Sequence, residues 1–205
     1  MKPTTNVAAS VRQKLLNKAR SSGRPFNELL QYYAMERFLY RLSLSNHAER
    51  FILKGALMLR AWRSPEARPT MDIDMLGRTS NTEADIIAQI KDILGVAVPD
   101  DGLAFEPDSI LAETITEDAD YEGIRIRFKG SLGVARISMQ IDIGFGDIVH
   151  PDPEMAEFVE EDDDRQDDNE RNHVDPGRVQ RIQHVASGSA LLHRRSAARR
   201  GRNSY

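Results

Sequence analysis

The chain has 205 residues, 40% of them hydrophobic and 29% charged, with a formal net charge of −4 and no cysteine. That length holds one domain, or one domain and a tail, and the lack of cysteine excludes a disulfide framework, a thiolate metal centre and a cysteine nucleophile while fitting a reducing cytoplasm. No run approaches the roughly 20 apolar residues of a membrane span, the start Met1-Lys2-Pro3-Thr4 does not read as a signal peptide, and the acidic balance argues against a general nucleic-acid coat.

Two helices are predicted first. Over 7–22, Val11, Leu15, Leu16 and Ala19 recur at helical spacing before Gly23. From Pro25 to about residue 44, Phe26, Leu29, Leu30, Tyr33, Phe38, Leu39 and Leu42 form a strong apolar stripe, which reads as core and makes this pair a scaffold. The pattern then changes. Phe51-Ile52-Leu53 is a short strand ending at Lys54-Gly55, 56–62 reads as helical, and Met71-Asp72-Ile73-Asp74-Met75 alternates as a strand with one apolar and one acidic face. A helix is expected over 82–94, and Pro99-Asp100-Asp101-Gly102 signals a turn. Strands follow over 110–116, 122–129 and 135–145. The expected fold is α+β: a small mixed sheet packed by helices, with two N-terminal helices (7–44), a sheet over 51–146, and a domain occupying 1–158. Beyond it, 159–175 is densely acidic and 176–205 is basic and acid-free, so 159–205 is expected to be a disordered tail with at most a short helix near 189–198.

The chemistry-bearing residues are acidic. Asp72 and Asp74, two apart on a strand, project from one face. Over 135–145, Ile137, Met139, Ile141, Ile143 and Phe145 share one face and Asp142 lies on the other with Gln140. If the two strands are neighbours, three carboxylates converge, and their repulsion calls for a cation. Hard oxygen donors suit Mg²⁺, which keeps waters and bridges to substrate phosphates. This is the arrangement of two-metal nucleotidyl transfer: one ion activates the attacking hydroxyl and the other holds the triphosphate. An isolated Asp-x-Asp is common on solvated strands; here it has company. Lys54-Gly55-Ala56 joins a strand to a helix start, where backbone N–H groups and a lysine can hold phosphate, although the same residues serve an ordinary turn. Arg68 and Thr70 stand just before the aspartates, and Arg68 can meet a phosphate or orient Asp72 or Asp74. Arg125, Arg127 and Lys129 share a strand face whose ordinary reading is a solvated basic surface. The histidines lack metal-ligand spacing, and no Gly-x-Ser-x-Gly elbow occurs.

Phe51-Ile52-Leu53-Lys54-Gly55-Ala56, Arg68-Pro69-Thr70-Met71-Asp72-Ile73-Asp74 and Gln140-Ile141-Asp142-Ile143-Gly144-Phe145-Gly146-Asp147 together resemble the abortive-infection AbiEii nucleotidyltransferase toxins, from about residue 7 to 158. The resemblance implies a DNA polymerase β-like nucleotidyltransferase fold, with Gly55 opening the phosphate-binding helix, Asp72 and Asp74 as paired metal ligands, and Asp142 as third carboxylate. It also implies an NTP substrate, transfer to tRNA or to a protein hydroxyl, and neutralisation by a cognate antitoxin with a winged-helix domain. Two departures stand out. Gly55-Ala56 replaces a Gly-Gly or Gly-Ser pair, and after residue 158 the family's helical half with its Glu-Lys and Arg-x-Lys-Asp elements gives way to a tail with nine Arg and no Lys. That break raises the alternative of a truncated or frameshifted, inactive remnant that acts at most as a binding protein. A sugar-nucleotide glycosyltransferase using Asp-x-Asp leaves Asp142 and the Lys-Gly turn unexplained.

Overall fold

The computed structural model describes residues 6–55, 70–118, 121–146, 154–159 and 179–184. Helix α1 (Val7–Ser22) starts where the Asn6 side chain accepts from the Ala9 N–H at 3.0 Å, and ends at Gly23, whose φ of 71° is the left-handed C-cap conformation. Pro25, in extended conformation, sets the entry to α2 (Phe26–Leu44). This helix is enclosed on nearly all sides: Ala34, Met35, Phe38 and Leu39 are fully buried, and so, almost completely, are Gln31, Arg37 and Arg41. A single 3-10 turn (Ala48–Arg50) leads to β1 (Phe51–Lys54). Then come β2 (Ile73–Gly77), α3 (Glu83–Leu94), β3 (Leu103–Asp118), β4 (Tyr121–Leu132), β5 (Ala135–Phe145), β6 (Glu154–Val159) and β7 (Val179–His184).

The seven strands form one sheet in the order β3-β4-β5-β2-β1-β7-β6. β2 runs parallel to β5, and β1 parallel to β7; the other neighbours are antiparallel. The fold is therefore α+β with a mixed sheet. Strict alternation sorts the two faces. Ile73 and Met75 of β2, Ile124, Ile126 and Phe128 of β4, and Ile137, Met139, Ile141 and Ile143 of β5 join the core with the helices. Phe128 stacks between Phe38 of α2 and Phe105 of β3, with centroids 5.9 and 5.6 Å away. Arg125, Arg127, Lys129, Ser138, Gln140 and Asp142 take the opposite face.

The buried arginines of α2 have one shared purpose. Arg41 donates to both oxygens of Asp101, at 2.8 and 3.2 Å, and Arg37 donates to Asp101 at 3.2 Å. The Tyr33 hydroxyl donates to the Asp101 carbonyl at 2.7 Å. Asp101 belongs to the turn before β3, so this cluster fastens α2 to the far edge of the sheet.

Two expectations need correction. The acidic strand begins at Ile73 rather than at Met71, and Met71 is 50% exposed instead of facing the core. The cause is α2: Gln31 donates to the Met71 carbonyl and the Tyr32 hydroxyl accepts from the Thr70 N–H, so side chains rather than a neighbouring strand hold this backbone. β3 starts at Leu103, seven residues before the expected 110, and absorbs Pro107 in a bulge between Glu106 and Leu111. There the Ser109 hydroxyl donates to the Glu106 carbonyl and accepts from the Lys129 N–H, replacing the interrupted ladder. Within 159–205, β7 pairs with β6 and, through His184, with β1. Composition measures what side chains can bury; it does not register the backbone pairing that an existing sheet edge offers. The helical stretch expected over 56–62 and the short helix near 189–198 lie outside the described residues.

Candidate active site

One rung of charged residues crosses five strands. In the register Lys54 of β1 stands opposite Asp74 of β2, Asp74 opposite Asp142 of β5, Asp142 opposite Arg125 of β4, and Arg125 opposite Glu113 of β3. Neighbouring strands lie about 4.8 Å apart, so residues remote in sequence share one short line on one face. The central pair of that line is acidic and each end of the pair is flanked by a cation.

Gly55 follows Lys54 with φ 74°, and a Cβ built on it overlaps the Asp74 carboxylate. Two separate requirements therefore select glycine: the left-handed backbone and the close approach of an aspartate that the cross-strand register puts there. Gly55→Ala is expected to displace Asp74 and, with Asp74 as the metal ligand expected from the sequence, to slow transfer by on the order of a hundredfold, because a misplacement of about 1 Å can have that effect. A transfer assay beside a melting curve checks it; wild-type rate would show that Asp74 has room to move.

Asp72 precedes β2 and is held by local partners. The Thr70 hydroxyl donates to Asp72 Oδ1 at 2.7 Å, and the Gln140 amide lies 3.4 Å from Asp72 Oδ2 and equally 3.4 Å from Asp142 Oδ2. Thr70, expected beside phosphate, is buried and turned to Asp72. Its N–H in turn donates to the Tyr32 hydroxyl at 3.0 Å, while Gln31 Nε2 donates to the carbonyls of Met71 and Ser138, both at 3.1 Å. Gln31 and Tyr32 thus fix the approach to the aspartates from α2, a helix that its sequence presents only as scaffold.

Asp142 is 8% exposed and engaged by Arg125, whose Nε and Nη2 donate to its two oxygens at 2.8 and 2.7 Å. This bidentate contact raises the Arg125 guanidinium further above its ordinary value, so it stays charged throughout the accessible pH range. Arg127 bonds Gln140 at 3.2 Å and pairs with Glu113 at 3.0 Å. Ala56 and Arg68, the other two expected phosphate-binding residues, lie outside the described residues.

The donor chemistry of Asp72, Asp74 and Asp142 suits a hard divalent ion, and the register sets two of them side by side. Among the described residues, however, no three acidic or imidazole groups are gathered in a position to hold an ion. Asp72 faces Thr70 and Gln140, and Asp142 faces Arg125. The donors are present and the cage is not assembled.

The profile described as "Nucleotidyl transferase AbiEii toxin, Type IV TA system" matches residues 37–179, well over half of the chain, and spans Lys54, Gly55, Asp72, Asp74, Asp142 and the start of β7. The chain belongs to this family. Through it the chain falls in the DNA polymerase β-like nucleotidyltransferase superfamily, and the family itself, nucleotidyltransferase toxins of type IV toxin–antitoxin systems, implies an NTP substrate and an antitoxin partner. No curated protein and no solved structure matches it. No helix among the described residues is long and apolar enough to cross a membrane.

Proposed function

We propose that this AbiEii chain transfers a nucleoside monophosphate from an NTP to a hydroxyl of an acceptor, tRNA or a protein, in the cytoplasm, with Mg²⁺ held by Asp72, Asp74 and Asp142. The observation that carries the reading is the Lys54–Asp74–Asp142 rung, with Gly55 packed against Asp74, since it brings the phosphate-binding turn and the carboxylates of separate segments to one place. When bound, the divalent ions supply charge neutralisation of the triphosphate and a lowered pKa for the attacking hydroxyl. The chain's own residues set the geometry. Lys54 places a cation at the end of β1 beside the carboxylates, and the positive-φ turn at Gly55 stands where a phosphate would be met, with Ala56 next in sequence. Thr70 and Gln140 orient Asp72, and Arg68 stands close in sequence to meet a phosphate or an aspartate. The acceptor oxygen bonds to the α-phosphorus, the bond from that phosphorus to the α,β-bridging oxygen breaks, pyrophosphate leaves, and the hydroxyl proton passes to solvent. A winged-helix antitoxin fits as the neutralising partner.

The second reading, an inactive copy that only binds partners, is favoured by the unassembled cage. Incubating the protein with Mg²⁺, each α-labelled NTP in turn and total tRNA, beside Asp72→Ala, separates the two. Label on tRNA or on protein with the wild type alone is the expected result and names the nucleotide. No label in either, in an assay where an active relative labels its acceptor, leaves the inactive copy.

A further inference from the structure

Carboxylates crowded on one patch of sheet repel one another, and burial sharpens the effect. Asp142 meets both conditions. It is 8% exposed, opposes Asp74 in the register, and shares the Gln140 amide with Asp72. In the absence of an ion something must balance it, and that group is Arg125, which spans both oxygens from the antiparallel neighbour. Arg125 also has a second acceptor beside it. Its Nη1 lies 4.0 Å from Glu113, the residue opposite it on β3, and the Glu113 side chain is 49% exposed. The guanidinium therefore stands between two carboxylates, one inside the rung and one at its outer end, the latter also paired with Arg127 at 3.0 Å. Arg125 itself is 29% exposed, which leaves room for its side chain to turn without moving the backbone.

We propose that Arg125 is the resident counter-ion of Asp142, displaced by a divalent cation as the site loads, with the guanidinium passing from Asp142 to Glu113. The proposal rests on the metal site put forward above. It explains why Asp72, Asp74 and Asp142 form no cage: Asp142 is already neutralised, and it becomes a ligand only when the arginine leaves. The loaded site gains the ion's two positive charges, while the guanidinium stays in the protein and Glu113, already paired with Arg127, receives it as a second partner.

Binding of Mn²⁺ alone, followed by loss of the free-ion electron paramagnetic resonance signal, reads this without any turnover. Arg125→Gln is expected to bind Mn²⁺ about tenfold more tightly than the wild type, because the ion no longer competes with a bidentate partner. Arg125→Lys, which keeps the charge and loses the fork, is expected to bind a few-fold more tightly. Glu113→Gln is expected to bind a few-fold more weakly, since the released guanidinium loses its acceptor. In EDTA, Arg125→Gln should melt below the wild type, and Mn²⁺ should close the gap. Equal or weaker binding by Arg125→Gln overturns the exchange, and Arg125→Lys matching the wild type does so too, by reducing the effect to bulk charge. If Arg125→Gln does not fold, unchanged binding by Glu113→Gln overturns it. Failure of the parent reading looks different: wild type and Arg125 variants alike would show no Mn²⁺ binding sensitive to Asp72→Ala, and both proposals would fall.

Discussion

Asp74→Asn is expected to lower nucleotidyl transfer by at least about a hundredfold while leaving the fold intact. Partners that merely orient a metal ligand already change activity or affinity by 10- to 100-fold, so under the proposed metal site the loss of Asp74 itself should do no less. Asp74 is the one aspartate placed between Lys54 on one strand and Asp142 on the other, with Gly55 against its carboxylate. Asparagine keeps the shape, so the packing over Gly55 survives, and only the charge and one anionic donor are lost. Stability should move by no more than about 1 kcal/mol, since relief from Asp142 and loss of attraction to Lys54 act in opposite directions. Two measurements on the same preparation decide it: transfer rate at saturating NTP, and the melting temperature in EDTA. An intact rate removes Asp74 from the chemistry, whereas a melting point lowered by 10 °C or more makes it a structural residue.

What the sequence reveals about this site is set by the range of the physics involved. Alternation along 71–75 and 135–145 identifies the polar faces, because strand periodicity is local. It does not say which strands are neighbours, and the rung is a statement about neighbours. Arg125 shows the limit. Its spacing with Arg127 and Lys129 marks a basic strand face, and a solvated surface is a fair reading until β4 is known to lie beside β5 with Asp142 opposite. Tyr32 and Gln31 are similar: within α2 they look like ordinary helix positions, and their contacts to Thr70 and Met71 span about forty residues of chain. A buried polar residue on an otherwise apolar helix is the signal that was available for Gln31, since such a group needs partners. The helices themselves were legible, as their stripes and the Gly23 stop are local. β7 was not, because its pairing depends on the free edge of β1 rather than on its own composition.

The same non-local logic makes Asp101 the residue whose loss should most damage stability. In sequence it belongs to a turn, Pro99-Asp100-Asp101-Gly102, and nothing nearby marks it as more. In the fold its carboxylate receives Arg37 and both arms of Arg41, with all three side chains less than 10% exposed. It also accepts from the Leu103 N–H at 3.1 Å, which aligns the first residue of β3. The arginines are packed as well as paired: Arg37 lies 4.4 Å from the Tyr40 ring centroid and Arg41 5.1 Å from that of Phe105. Asp101→Ala strands two buried cations at once. Removing one member of a buried pair typically destabilises by about 3–5 kcal/mol. For a chain of this size that corresponds to roughly 10 °C in melting temperature. Asp101→Asn, which keeps an acceptor oxygen but not the charge, should fall between the two. The comparison with an exposed pair sharpens the test. Arg136 and Glu106 approach to 3.3 Å on the surface, but Arg136 is 82% exposed, and Glu106→Gln should leave the melting point nearly unchanged. If Asp101→Ala melts with the wild type, the two arginines have found other partners and the cluster is not what fastens α2 to the sheet.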